Sequence, residues 1–362
     1  MERSQDGYVE RVLTRGPDVP LAWTFEAEVT ITPEADGEVR FAELSPWEVD
    51  ADSEGRIYAL DVGGGRVVVF GRSGRVVGSV GRPGEGPGEL SEPTALAVSR
   101  AGEVAVYDFG AGGVVRWDPA GGLPALERLE PVFWGPELEL ADWGYVYPSI
   151  VADGRDGRVV QLVVAAETRT GTLAELTQTT VAASFPGCGL GGIPVEPIFE
   201  PQLRWDRGGD VVAVVTGPRY EIELSRGGVP EREVVRDVEP RPATRDLALQ
   251  EVGEGLELTA PVRCRIPPAE LVEARGFAHA VPAIAGIAVA PDGTIWVRRT
   301  VVRGEGDPPI DVLAPDGAYL GTLPPGSPNP VAFAGRATDY RVVALEARDT
   351  GSTDIVVYRV ER

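Results

Sequence analysis

Between Ser53 and Pro93 short β-branched runs alternate with glycine breaks. Ser53-Glu-Gly-Arg-Ile-Tyr-Ala-Leu-Asp61 leads into Val62-Gly-Gly-Gly65, then Arg66-Val-Val-Val-Phe70, Gly71-Arg-Ser-Gly74 and Arg75-Val-Val-Gly-Ser-Val80. Apolar runs of this length, split by glycine turns, predict successive β-hairpins. With the short run Trp47–Asp50 ahead of them, they make a four-stranded antiparallel unit.

The unit repeats. Gly102-Glu-Val-Ala-Val-Tyr-Asp108 lies 47 positions after Gly55-Arg-Ile-Tyr-Ala-Leu-Asp61, and Val114–Gly121 echoes Arg66–Gly74. Further copies start at Asp156, Gly209 and Asp292, and a worn one comprises Tyr340–Glu346 and Asp354–Val360. A period in the forties with four strands per period predicts propeller blades. One blade cannot bury both its faces, so neighbours must stack in a ring. The fold class is therefore all-β, a six-bladed β-propeller of four-stranded antiparallel blades.

The segments Gly81-Arg-Pro-Gly-Glu-Gly-Pro-Gly-Glu-Leu90 and Pro291-Asp-Gly-Thr-Ile-Trp-Val297 resemble six-bladed propellers of the NHL-repeat, TolB-like group, bacterial proteins mostly without an assigned role. The resemblance covers roughly residues 25–362. It implies the fold and, more weakly, an exported protein. It does not carry an activity, because the architecture hosts unrelated functions.

Residues 1–24 are polar and proline-marked and read as a loosely held lead; residues 25–362 read as one propeller. Phe25–Ile31 alternates apolar and polar strictly, a half-buried strand without a nearby partner. The last blade, Val331–Val360, supplies three strands, so residues 25–31 are expected to add its outer strand and close the ring, leaving no open edge. Blade three is expected over about 143–186, with Trp143–Tyr147 near its inner strand, and blade four over about 197–239. Residues 240–282 break the repeat and read as an insertion with short helices at Thr244–Val252 and Pro268–Arg275. Chain direction puts this insertion at the same end as the blade-to-blade links and the turns between second and third strands. That end is called the top here. A large insertion over a propeller mouth can form a site wall or cap apolar surface.

The formal net charge of −22 argues against nucleic acid, whose phosphates need a positive face, and favours cationic ligands or metal. All 34 basic residues are arginine, in keeping with a GC-rich genome. No apolar run reaches the ~18 residues of a membrane helix. Residues 1–20 lack a signal-peptide core, so the chain is either cytoplasmic or the mature part of an exported protein. The resemblance leans towards the second, a periplasmic or cell-surface location.

Candidate binding residues sit at strand ends near the top of the channel. Asp61 and Asp108 end the second strands of blades one and two, and Arg298 and Arg299 occupy the matching place in blade five. Strand alternation puts only one of those two arginines on the same face as Trp296. Arg66 and Arg82 join by position. Converging Asp and Arg could hold a polar ligand; the alternative is inter-blade ion pairing and turn capping. Asp50–Gly55 with Asp61 has the spacing of a calcium loop, but strands flank it where an EF-hand needs helices. The glycines of 81–88 lack the Lys-Ser/Thr ending and helix of a phosphate loop and read as a tight link. His279 is the only histidine and reads as a hydrogen-bonded structural residue; no Gly-x-Ser-x-Gly elbow exists for it to serve. Lactonase-type six-bladed propellers use Glu, Asp and Asn ligands, and this chain has one asparagine, Asn329. Cys188 and Cys264, both in top-side links, could form one disulfide tying the insertion down if the protein is exported; they lack Cys-x-x-Cys spacing. The tryptophans read mainly as blade core, with Trp134 and Trp143 able to line a mouth.

The reading is a monomeric ligand- or protein-binding propeller, its site at the top of the channel beside the insertion, with no catalytic residue assigned and no cofactor. The ligand is a small molecule or a protein. Its rival is a metal-dependent hydrolase or lyase with channel carboxylates, taking a divalent metal such as calcium. Converging acids on the axis favour the rival; an arginine-rich or apolar mouth favours the binder.

Overall fold

The computed structural model describes residues 2–362 except 7–8, 34–40, 42–43, 122, 130–136, 142, 154–156, 167–168, 260–262 and 350. Six four-stranded antiparallel blades follow one another round a ring. Blade one comprises Val49–Ala51, Ile57–Asp61, Arg66–Phe70 and Val76–Val80. Blade two comprises Pro93–Val98, Val104–Asp108, Gly113–Trp117 and Ala125–Glu127. Blade three comprises Glu139–Ala141, Gly144–Asp153, Arg158–Ala166 and Arg169–Gln178. Blade four comprises Arg204–Gly208, Val211–Val215, Glu221–Arg226 and Val229–Arg236. Blade five comprises Ile284–Val289, Ile295–Arg299, Ile310–Leu313 and Tyr319–Thr322. Blade six takes Pro330–Arg336, Asp339–Ala347 and Thr353–Glu361, and Thr24–Ile31 pairs antiparallel with its third strand as the fourth. The ring thus closes through the N-terminal strand.

The core is six sandwiches between consecutive blades rather than one central mass. Successive residues of a strand point to opposite blade faces. Ile57 and Ala59 therefore pack against Val343 and Ile355 of blade six, while Tyr58 and Leu60 pack against Leu96 and Val106 of blade two. Val104 and Val106 face blade one; Ala105 and Tyr107 face Leu140 and Tyr147 of blade three. All five residues of Ile57–Asp61, Val104–Asp108 and Val211–Val215 are buried. Burial on both faces explains why the second strands are continuous apolar runs instead of alternating ones.

Three local readings change. Val9–Thr14 is not a loose lead: it pairs in parallel with Arg232–Arg236 on the outer edge of blade four. Pro20 then bridges to Thr322 of blade five before the chain enters blade six. In blade three the repeat slips by one strand. Trp143–Tyr147 precedes and opens the second strand rather than the inner one, and the echo after Asp156 is the third strand. Its middle strands run 9 and 10 residues with two bulged registers, which obscures the period. The blade ends at Gln178, and 181–195 forms a separate hairpin of Val181–Phe185 and Leu190–Val195.

The insertion holds helices α1 (Arg245–Val252) and α2 (Pro268–Arg275) and a hairpin of Leu256–Leu258 with Cys264–Ile266. Thr244 caps α1 by accepting from Leu247 N, and Pro268 opens α2 where a missing N–H costs nothing. Ile266 and Leu271 pack on Ala183 and Phe185 of the extra hairpin, so the two insertions share a satellite core. Cys188 and Cys264 are joined in a disulfide across it, with Cα atoms 5.6 Å apart. No described helix is long and apolar enough to cross a membrane.

Candidate functional site

The first strand of each blade lines the central channel. The free space narrows from about 230 Å³ at the top mouth to about 140 Å³ midway and about 50 Å³ at the far end. At that end Arg207 donates to Leu140 O at 2.8 Å and Gly209 O at 2.8 Å, and Arg100 donates to the carbonyls of Phe333 and Gly335. Two arginines thus cross-link blades at the narrow exit.

Three carboxylates occupy the middle. Asp50 Oδ2 accepts from Val98 N at 2.6 Å and Oδ1 from Ala51 N at 2.7 Å. Asp206 Oδ2 accepts from Val289 N at 2.6 Å. In each case an inner-strand acid takes an amide of the next blade, so both work as inter-blade stitches. Glu139 Oε2 lies 3.2 Å from Arg207 Nη2. Burial pushes the Asp50 carboxyl up to about 8, and the nearby Glu139 charge pushes the same way. Burial also raises Glu139 and Asp206; the charge of Asp206 adds to the first and that of Asp50 to the second, against the pull of Arg207 on both.

The mouth has the opposite character. Arg204 begins the inner strand of blade four and Arg298 nears the end of the second strand of blade five. Both are half-buried and line the mouth with Trp47, Trp205 and Glu137. Burial lowers the Arg298 guanidinium, and the charge of Arg204 lowers it further. Burial likewise lowers Arg204, with Glu137 pulling against it. Glu137 is the carboxylate that acts on Arg204, and Arg298 Nε is buried without a hydrogen-bond partner among the described residues. Two adjacent, partly desolvated cations beside one carboxylate leave room for a further anion.

The mouth opens sideways into a cleft of about 770 Å³ beneath the insertion, and Arg204, Ala285 and Arg298 line both. Phe199, on the cleft wall, is the one described non-glycine residue with a positive φ, 64°. Its neighbour Ile198 exchanges backbone bonds with Gly276 and Ala278, which hold the turn in this costly conformation.

The candidate residues named from the sequence do not converge. Asp61 accepts from Gly64 N and Arg66 Nε and so closes its own turn. Asp108, fully buried, accepts from Ser91 N, Glu92 N and Ala111 N and organises the link from blade one to blade two. Arg82 is exposed and pairs with Glu89 inside the glycine loop. Arg299 turns into the blade, meeting Asp18 and Asp311. Only Arg298 faces the mouth. His279 is exposed and lines neither mouth nor cleft; its carbonyl accepts from Ala243 N. Trp134 lies outside the described residues. Arg204 and Asp206 were not among the candidates, and Asp50 was weighed only as part of a calcium loop. The signal existed: Arg204 and Asp206, like Glu137 and Glu139, are polar residues two apart on or beside the first strand of a blade.

Among the described residues no group of three or more His, Cys, Asp or Glu side chains is placed to hold a metal ion.

Residues 49–157 match DUF5128, a family described as a 6-bladed beta-propeller. No functionally curated protein matches the chain. Among solved structures, a Bacteroides fragilis protein described as exported is 12% identical, covers 97% of this chain and 100% of its own, and has a TM-score of 0.52. A DUF4221 family member from Bacteroides vulgatus is 8% identical, covers 94% and 99%, and has a TM-score of 0.50. Regucalcin from Agrobacterium tumefaciens, a calcium-binding protein, is 14% identical, covers 88% and 92%, and has a TM-score of 0.42. At these identities the likeness to the two Bacteroides proteins shows the fold alone, which the family model gives as a six-bladed β-propeller.

Proposed function

We propose that this protein is an extracytoplasmic, monomeric binding propeller of the NHL-repeat, TolB-like type that takes a small acidic ligand at the top of its channel. The observation that carries the reading is the Arg204–Arg298 pair, half-buried at the mouth beside one carboxylate, Glu137. An anion there would gain charge-assisted hydrogen bonds from two guanidinium groups already relieved of part of their water. The Cys188–Cys264 disulfide supports a location outside the reducing cytoplasm. Titration calorimetry with a panel of organic acids tests the reading. Binding should weaken about tenfold or more in Arg298→Gln, the worth of one charged hydrogen bond. Equal binding by the wild type and an Arg204→Gln/Arg298→Gln protein would refute it.

A second reading, a hydrolase that holds a divalent metal, would have to draw on Asp50, Glu139 and Asp206, which line one stretch of the channel without forming a metal-binding group. Two of these acids are already engaged by backbone amides and the third by Arg207. Metal analysis of untagged protein, with melting curves before and after chelation, separates the two. Near-stoichiometric metal whose removal lowers the melting temperature would establish the metal-dependent reading.

A further inference from the structure

The cleft beneath the insertion gives the ligand a second half. Among its apolar lining residues Phe199 and Leu256 present surface to the cleft, with the buried Phe185, Ile198 and Leu271 behind them. Its acids are occupied: Glu196 pairs with Arg158, Glu200 accepts from Thr179 N, and Glu251 accepts from Arg303 N. Its other arginines are engaged too, Arg275 donating to Glu196 O and Arg303 to Glu251 O. What remains uncommitted is the apolar surface of Phe199 and Leu256 beside Arg298, with Arg204 sharing the mouth with Glu137.

Direction follows from charge. A ligand whose acidic head sits on Arg204 and Arg298 can extend down the channel or sideways into the cleft. The channel presents Asp50, Glu139 and Asp206 and narrows to about 140 Å³. The cleft offers about 770 Å³, within the range of small-molecule sites. Apolar atoms gain by leaving water in the cleft and gain nothing among carboxylates. The head is a single negative charge, because Glu137 shares the mouth and would repel a second.

We propose that the ligand is an amphipathic carboxylic acid, its carboxylate on Arg204 and Arg298 and its apolar body lying in the cleft against Leu256 and Phe199. This rests on the anion-binding reading above and adds the nature of the body. Binding of propanoate, decanoate and decanol is measured by calorimetry on the full chain. Burial of methylenes predicts about a fourfold gain per carbon, so decanoate should exceed propanoate by at least about a hundredfold. Decanol should bind far more weakly than decanoate. Leu256 is 43% exposed, so Leu256→Glu should fold; it should weaken decanoate about tenfold or more and propanoate, which does not reach Leu256, much less. Arg298→Gln should weaken both acids. If propanoate binds as tightly as decanoate, or Leu256→Glu has no effect, the apolar half is wrong while the anion site stands. If decanol matches decanoate and Arg298→Gln is silent, the anion site itself is wrong. Absence of binding by both acids overturns both.

Discussion

Burial lifts the Asp50 carboxyl to about 8, so between the ordinary carboxylate value near 4 and about 8 the folded chain holds a proton that the unfolded chain has released. Its contribution to stability is greatest below pH 4, falls as pH rises through that window, and is flat above it. Asp50→Asn keeps a carbonyl oxygen for Val98 N or Ala51 N and abolishes the titration. Urea unfolding at pH 5 and pH 9 should show a smaller loss of stability with pH in the variant than in the wild type; Glu139 and Asp206 supply the remainder. A different residue-scale contact joins blades four and five. Arg236 Nη1 lies 2.6 Å from Asp311 Oδ2, Asp311 is fully buried, and the Arg236 guanidinium stacks 4.0 Å from the Tyr319 ring centre. Removing one member of a buried pair leaves an uncompensated charge and costs about 3–5 kcal/mol. Arg299, with Nε 3.6 Å from the same Asp311 oxygen, offsets part of it. Arg236→Met should therefore lose about 3 kcal/mol in denaturant unfolding, and Arg236→Met/Asp311→Leu should lose less than the single change.

At the scale of elements, the insertion and the 181–195 hairpin form a small body with its own core, Ala183, Phe185, Ile266 and Leu271, tied by one disulfide. A core of that size cannot by itself offset much chain entropy, and a disulfide closing a long loop is worth about 2–4 kcal/mol. Cys188→Ser/Cys264→Ser should raise hydrogen exchange across 181–195 and 256–275 while second-strand amides such as Val212–Val214 stay protected. Equal loosening of both regions would mean that the insertion is part of the propeller's cooperative unit. The closing strand behaves differently. Ile31 is the one buried residue of Thr24–Ile31, yet the strand covers the edge of Thr353–Glu361. Its role is to remove an edge rather than to fill a core.

For the whole molecule, a net charge of −22 opposes an anion approaching a mouth that is locally positive. Salt screens the distant charges more than the half-buried pair at contact. Association of a carboxylate ligand should therefore quicken as ionic strength rises from 10 to 150 mM (on the order of a Debye length from 30 down to 8 Å), measured by stopped flow. Slowing instead would mean that the local field of Arg204 and Arg298 dominates at long range.

The repeat was legible because the second strands of blades one, two and four are buried on both faces and are therefore apolar over nearly all their length. Ile57–Asp61, Val104–Asp108 and Val211–Val215 announce blades without reference to the rest of the chain. The insertion helices were legible from Thr244 and Pro268, whose capping chemistry is local. Ring closure by residues 24–31 followed from counting strands. The site was not legible in the same way. Asp61 and Asp108 looked available because sequence records a charge at a strand end and not the amides of Gly64 or Ser91 that occupy it. Arg204 and Arg298 come from different blades 94 positions apart, and only the curvature of the ring sets them together. Local pattern determined the blades, since propensity and alternation act within a few residues. The tertiary structure decided which charges are satisfied, because partnership and desolvation depend on what the ring brings near.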